Sequence, residues 1–330
     1  MLDRTRARRL LLVPLGALAA ALAVAGPAEA HSRAPTVALD YHVRLAALPT
    51  GVRAQLIDGD RALRVTVGSD VRLAVAGVVG EPFLRFAPDG VWVDRTSPTA
   101  AGARLVPGHA GPGRWVRLSR GHEYTWHDHR LAPPPDLASG ESARWSIPIA
   151  LDGRRTAIAG TFVRVPRPLW WPWLAGAALA AGALFVVARR RPHWRGGAAS
   201  VLAAVAAAAA LAGNAAFATA DPLSGAGRWL EVAAAAALAL VAAAALLVRD
   251  ASARVWIAMV IGAIAVALGF GSLSVFWHGV VISSLPAGLA RLTTAVAVVA
   301  GTAAACLGIT ADPLPRRRTD LRPRARMAPR

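Results

Sequence analysis

The sequence predicts an all-β extracytoplasmic domain, an immunoglobulin-like sandwich, followed by an α-helical transmembrane bundle of five spans. Three observations lead there. Residues 31–165 alternate apolar and polar side chains in short runs broken by Gly, Pro and Asp turns. Residues 166–310 hold apolar stretches of about 20 residues, the length a helix needs to cross hydrocarbon. Hydrophobic residues make up 55% of the chain and charged residues 17%, the balance of a membrane protein.

Residues 1–30 have the form of an export signal. Arg4, Arg6, Arg8 and Arg9 precede an apolar run over 10–26, and Ala28-Glu29-Ala30 has the small-x-small form of a cleavage site. Cleavage there makes His31 the first residue of the mature chain; retention as an uncleaved anchor is the alternative.

The β region then reads strand by strand. Val37, Leu39, Tyr41, Val43 and Leu45 alternate with polar or small residues, the period of a half-buried strand. Val52, Ala54 and Leu56 repeat the pattern, Asp58-Gly59-Asp60 turns the chain, and Leu63, Val65 and Val67 follow. Val71, Leu73 and Val75 continue it. Segments 83–86 and 91–93 flank Ala87-Pro88-Asp89-Gly90, whose residues favour a turn. Trp115 and Leu118 mark another strand, and Tyr124 and Trp126 share one face of the next. Segments 144–151 and 154–165 form a closing hairpin about Asp152-Gly153. Residues 96–113 and Pro133-Pro134-Pro135 are loops.

Spans are predicted over 169–188, 198–219, 229–248, 255–276 and 292–310, with a basic tail over 311–330. Trp170, Trp171 and Trp173 open the first span at headgroup depth. With the β region outside, the inward segments are 189–195, 249–254 and the tail, all rich in arginine, as the positive-inside bias requires. The formal charge of +18 comes from arginine alone. It is concentrated at membrane flanks and on alternating strand positions, which argues against nucleic acid as a partner and for the lipid bilayer. The single cysteine, Cys306, lies in an apolar run, so no internal disulfide supports the β domain.

Residues 121–130 concentrate the side chains that carry chemistry: His122, Glu123, Tyr124, Trp126, His127, Asp128, His129 and Arg130. Imidazole is the commonest side-chain ligand for copper and zinc. On a strand His127 and His129 would present both rings on one face, with Glu123 beside them. His31, with its amine and ring, and His42 on the first strand complete a candidate metal set, with copper the expected metal. The competing reading pairs Asp128 with Arg130 and leaves the histidines solvated. In the bundle, Asn214, Glu231, Ser272, Ser274, His278 and Arg291 are polar; Glu231, His278 and Arg291 fall near span ends, where they would reach headgroups. Nucleophile elbows, His-Glu-x-x-His and Gly-rich phosphate loops are absent, so no enzyme is predicted.

The residues Glu81-Pro82-Phe83-Leu84-Arg85, Asp89-Gly90, Ser97-Pro98 and Trp126-His127-Asp128-His129-Arg130 resemble, in order, a pattern shared by a family of actinobacterial exported membrane proteins. The resemblance covers the β domain and its junction with the first span, and implies that layout without an activity. The layout of an exported β domain with an N-terminal histidine is also similar to periplasmic copper carriers of the CopC type. The expected function is a plasma-membrane protein displaying a binding domain, for a metal such as copper that it hands to a membrane or metal-accepting partner. A ligand-free interaction module is the alternative, and a small-solute transporter the third.

Overall fold

The computed structural model describes residues 37–57, 62–106, 113–221 and 225–309. The export signal, His31, the Asp58-Gly59-Asp60 turn, part of the loop over 96–113 and the basic tail lie outside the described residues.

Alternation makes the strands. In chain order they are β1 (Ala38–Leu39), β2 (Tyr41–Leu45), β3 (Val52–Ile57), β4 (Ala62–Val67), β5 (Leu73–Ala76), β6 (Pro82–Ala87) and β7 (Gly90–Asp94). A short helix, α1 (Pro98–Gly102), interrupts them before β8 (Trp115–Ser119), β9 (Glu123–His127), β10 (Ser142–Leu151) and β11 (Arg154–Arg164). The sequence reads α1 as loop; Ser97 starts it by accepting a hydrogen bond from the Ala100 N–H at 3.2 Å, with Pro98 at the first helical position. Strands β2-β11-β10-β5-β6-β7-β8 form one antiparallel sheet and β3-β4-β9 a second. The division is seven and three, against the four and three of a constant-type immunoglobulin sandwich. The β10–β11 hairpin turns on Asp152 and Gly153, at φ 48° and 82°, the left-handed pair that a two-residue hairpin favours.

One core fills the space between the sheets. It holds Leu63, Val65 and Trp126 from the small sheet against Phe83, Leu84, Phe86, Ile147, Ile158 and Phe162 from the large one. Phe83 and Trp126 meet edge to face, 6.2 Å between centroids.

Five helices long and apolar enough to cross a membrane follow. They are α2 (Trp171–Arg190), α3 (Arg195–Ala220), α4 (Ala226–Ala245), α5 (Ala251–Phe270) and α6 (Ala287–Ile309). The chain is therefore a multi-pass membrane protein carrying a β domain. Small residues set the packing. A Cβ on Gly262 would overlap the Gly301 carbonyl oxygen, so α5 and α6 run backbone to backbone. The fourth predicted span ends early, at Phe270, where Gly271 releases the helix into a 3-10 turn at Leu273–Phe276. The fifth starts early, at Ala287, which places Arg291 inside the helix.

That placement overturns the headgroup position expected of Arg291. The side chain is buried and turns back toward the α5–α6 connection, where its Nε donates to Val275 O at 2.9 Å and its Nη2 to the carbonyls of His278 and Gly279 at 3.1 and 3.2 Å. Carbonyls left open by the 3-10 turn attract a guanidinium more strongly than a distant lipid phosphate does. The connection so held carries β12 (Val280–Val281), which pairs with β1, and the Ile282 N–H extends the pairing to Val37 O at 2.8 Å. Val37 and Ala38 are buried with Ala177, Phe217, Val275 and Phe276. The β domain is thus joined to the bundle twice, covalently through β11 and α2 and non-covalently through β1 and β12.

Candidate functional site

The histidine-rich stretch is divided by its own aspartate. Strand β9 ends at His127, and Asp128 caps a 3-10 turn at His129–Leu131 by accepting the Arg130 N–H at 3.0 Å. His129 is consequently off the strand, and the shared face expected for His127 and His129 does not form. Glu123, Thr125 and His127 do share the outward face of β9, but Glu123 and His127 are four residues apart, about 13 Å along a strand. Glu123 is also engaged, accepting from the Thr66 hydroxyl at 2.9 Å and lying 3.6 Å from Arg64 Nε. His42 pairs with Val163 at the edge of the large sheet and faces out on the opposite surface of the sandwich. Among the described residues no three His, Cys, Asp or Glu side chains form a group able to hold a metal ion.

Asp128 and Arg130 build a clamp instead. Arg130 Nε and Nη2 each donate to one Asp128 oxygen at 2.8 Å, and Trp126 Nε1 donates to Oδ2 at 3.0 Å. Arg130 Nη1 reaches the carbonyls of Ala76 and Gly77 at 3.0 and 3.3 Å, stitching the small sheet to the β5–β6 turn of the large one. On the other side of that turn Glu81 accepts from the Ser97 hydroxyl at 2.7 Å, the Thr99 N–H at 3.1 Å and the Val79 N–H at 3.2 Å. The Glu81, Ser97 and Trp126–Arg130 motifs, scattered in sequence, therefore meet in one hydrogen-bonded node around residues 76–81.

The node is sensitive to acid. Desolvation opposes charge on Glu81, but hydrogen bonds from Thr99 and Ser97 outweigh it and lower the carboxyl from 4.5 to about 2. Burial likewise opposes ionisation of Asp128, and the Arg130 hydrogen bonds and charge overrule it, so its carboxyl also sits below the ordinary value. A carboxyl lowered by folding stabilises the native state above its unfolded value and loses that contribution as pH falls through the folded one. The β domain is expected to lose stability as pH falls from about 4.5 toward 2, and Glu81→Gln to flatten that profile. Thermal unfolding of the full chain in detergent, followed by tryptophan fluorescence across that range, checks it.

The outer face of the seven-stranded sheet has a different character. Cross-strand register places Arg44, Thr161 and Arg144 in one row over β2, β11 and β10. A second row runs Arg155, Ala150, Ala74, Arg85, Trp92 and Arg117 over six strands. Arg85 lies between two indoles, 5.0 Å from the Trp92 ring and 4.7 Å from that of Trp115, and Arg117 is 5.5 Å from Trp92. Shallow depressions of about 590 and 440 Å³ lie on this face, the first lined by Arg44, Arg144, Ser146 and Thr161 and the second by Arg72, Arg85 and Asp89 among small and apolar residues. The seven strands contain one carboxylate, Asp94, 1% exposed and ion-paired with Arg114 at 2.7 Å. Sequence reading sees these arginines only as alternating strand positions.

The apolar core of the bundle is built of Ala, Leu, Val and Ile, with Ser200 and Thr294 also buried among the helices. Asn214, Arg228, Glu231 and Ser272 line a cavity of about 120 Å³ near the end of the bundle that faces the β domain. Arg228 and Glu231 pair there at 3.0 Å. A polar path along the helices, which a transporter would need, is not seen among the described residues.

No family model, curated protein or solved structure matches the chain.

Proposed function

We propose that this protein is a plasma-membrane interaction module that holds its β domain outside the cell and meets its partner with the outer face of the seven-stranded sheet. The observation that carries the reading is that face, rich in arginine and tryptophan, whose strands hold one carboxylate, the buried Asp94. The orientation follows from the arginines of 189–195, 249–254 and the tail, which favour the cytoplasmic side. The metal reading has less support. Glu123 is taken by Arg64 and Thr66, His129 has left the strand, and His42 faces the opposite surface.

A photo-crosslinking residue at Ser146, in the middle of the face, tests the reading in intact cells, with Gln55 on the small sheet as control. The expected result is an adduct from Ser146 and none from Gln55. Equal adducts, or none at Ser146, would overturn it. A copper titration of the full chain in which His127→Ala abolishes binding would reinstate the metal reading.

A further inference from the structure

Resting on the face assigned above, we propose that its partner is an extended polyanion, a chain repeating phosphate or carboxylate groups. The cations of the face lack ion-pair partners. Among the described residues, Arg44, Arg85, Arg117, Arg144 and Arg155 form no ion pair and no guanidinium hydrogen bond; Arg85 and Arg117 stack on indole rings. Two turn carboxylates at its rim, Asp89 and Asp152, form no ion pair with these arginines; Asp89 accepts from Trp92 Nε1 at 3.2 Å and Asp152 from the Arg72 N–H at 3.0 Å. Folding has therefore gathered arginines from five of the seven strands onto one face with no ion-pair partner for them, and their mutual repulsion is unfavourable for the free domain.

The spacing selects a chain over a small ion. With strands about 4.8 Å apart, Arg44 and Arg144 are about 10 Å from each other and Arg155 and Arg117 about 24 Å. Six residues of β11 separate the two rows, about 20 Å. A single phosphate or carboxylate spans none of these gaps, whereas a polymer bridges them and exchanges its condensed counterions for guanidinium groups. The guanidinium fork binds either oxyanion with two hydrogen bonds. Stacking on Trp92 and Trp115 holds Arg85 in place before the ligand arrives, which lowers the entropy lost on binding.

The test uses the full chain in detergent with three probes: long-chain polyphosphate, polyglutamate, and vesicles containing phosphatidylglycerol. Polyphosphate binding is expected to weaken steeply with salt. Arg44→Gln with Arg144→Gln should lower affinity about tenfold and reduce the salt slope, and Arg85→Gln with Arg117→Gln should do the same. Arg53→Gln on the small sheet should leave affinity unchanged, and unfolding midpoints exclude misfolding. Polyglutamate binding with the same dependence also supports the proposal and identifies the carboxylate form. Binding to vesicles but to neither polymer, or binding untouched by the face variants, overturns it. If the polymers fail while the Ser146 adduct persists, the face is an interaction surface for a partner of other chemistry and this proposal alone is lost.

Discussion

Asp128→Ala should destabilise the β domain by about 3–5 kcal/mol, because it strands the Arg130 guanidinium in the interior with no counter-charge. Asp128 is fully shielded from solvent and Arg130 is 15% exposed, so water cannot replace the lost carboxylate. The Trp126 indole N–H and the Arg130 N–H lose their acceptor at the same time. An unfolding midpoint lower by roughly 10 °C or more is expected, read from tryptophan fluorescence of the full chain. Arg130→Ala should behave alike and free the β5–β6 turn as well. His127→Ala and His129→Ala, on exposed side chains beside the same clamp, should shift the midpoint by about 2 °C at most. If the histidine variants destabilise as much as Asp128→Ala, the clamp is not what the stretch is built for.

Gly262→Leu should separate α5 from α6. A Cβ at this position already overlaps the Gly301 carbonyl oxygen and comes within 3.1 Å of Ala304 Cβ, so a longer side chain has no rotamer that avoids backbone. Overpacking a well-packed core costs about 1–3 kcal/mol; here the clash is with backbone, which cannot change rotamer, and roughly 3 kcal/mol or more is expected. Gly182→Leu is the control, since a Cβ there meets nothing within 4 Å. Heating detergent-solubilised protein and measuring the fraction that still elutes as a monodisperse peak separates the two. Loss of both variants alike would mean that any bulky residue in these helices is rejected, and that the α5–α6 contact is not special.

Elements with their own periodicity were legible in the sequence. Residues 41–45, 52–56, 144–151 and 154–164 alternate cleanly and form strands, and the five apolar runs form five helices. What escaped depends on contacts distant in sequence. Strand β12 is two residues long and carries no period; it exists because β1, more than 200 residues earlier, supplies its partner. Arg291 lies near a span end, where basic residues ordinarily meet headgroups, and only the carbonyls of residues 275, 278 and 279 explain its inward turn. The shared strand face of His127 and His129 is absent for a local reason: a period of two holds only while the strand continues, and Asp128 ends it by capping a turn. The arginine face was invisible because its rows join strands in the order β2-β11-β10-β5-β6-β7-β8, which no linear pattern encodes.

The double attachment of the β domain has a mechanical consequence. A single flexible stalk lets its cargo swivel, whereas a mount with two feet resists torque about either one. Here one foot stands on α2 and the other on the link between α5 and α6. Sideways load on the domain is thereby shared by α2 and the α5–α6 pair, far apart in sequence but neighbours in the fold, and a pull on the domain reaches the hairpin of α5 and α6 without first stretching the chain.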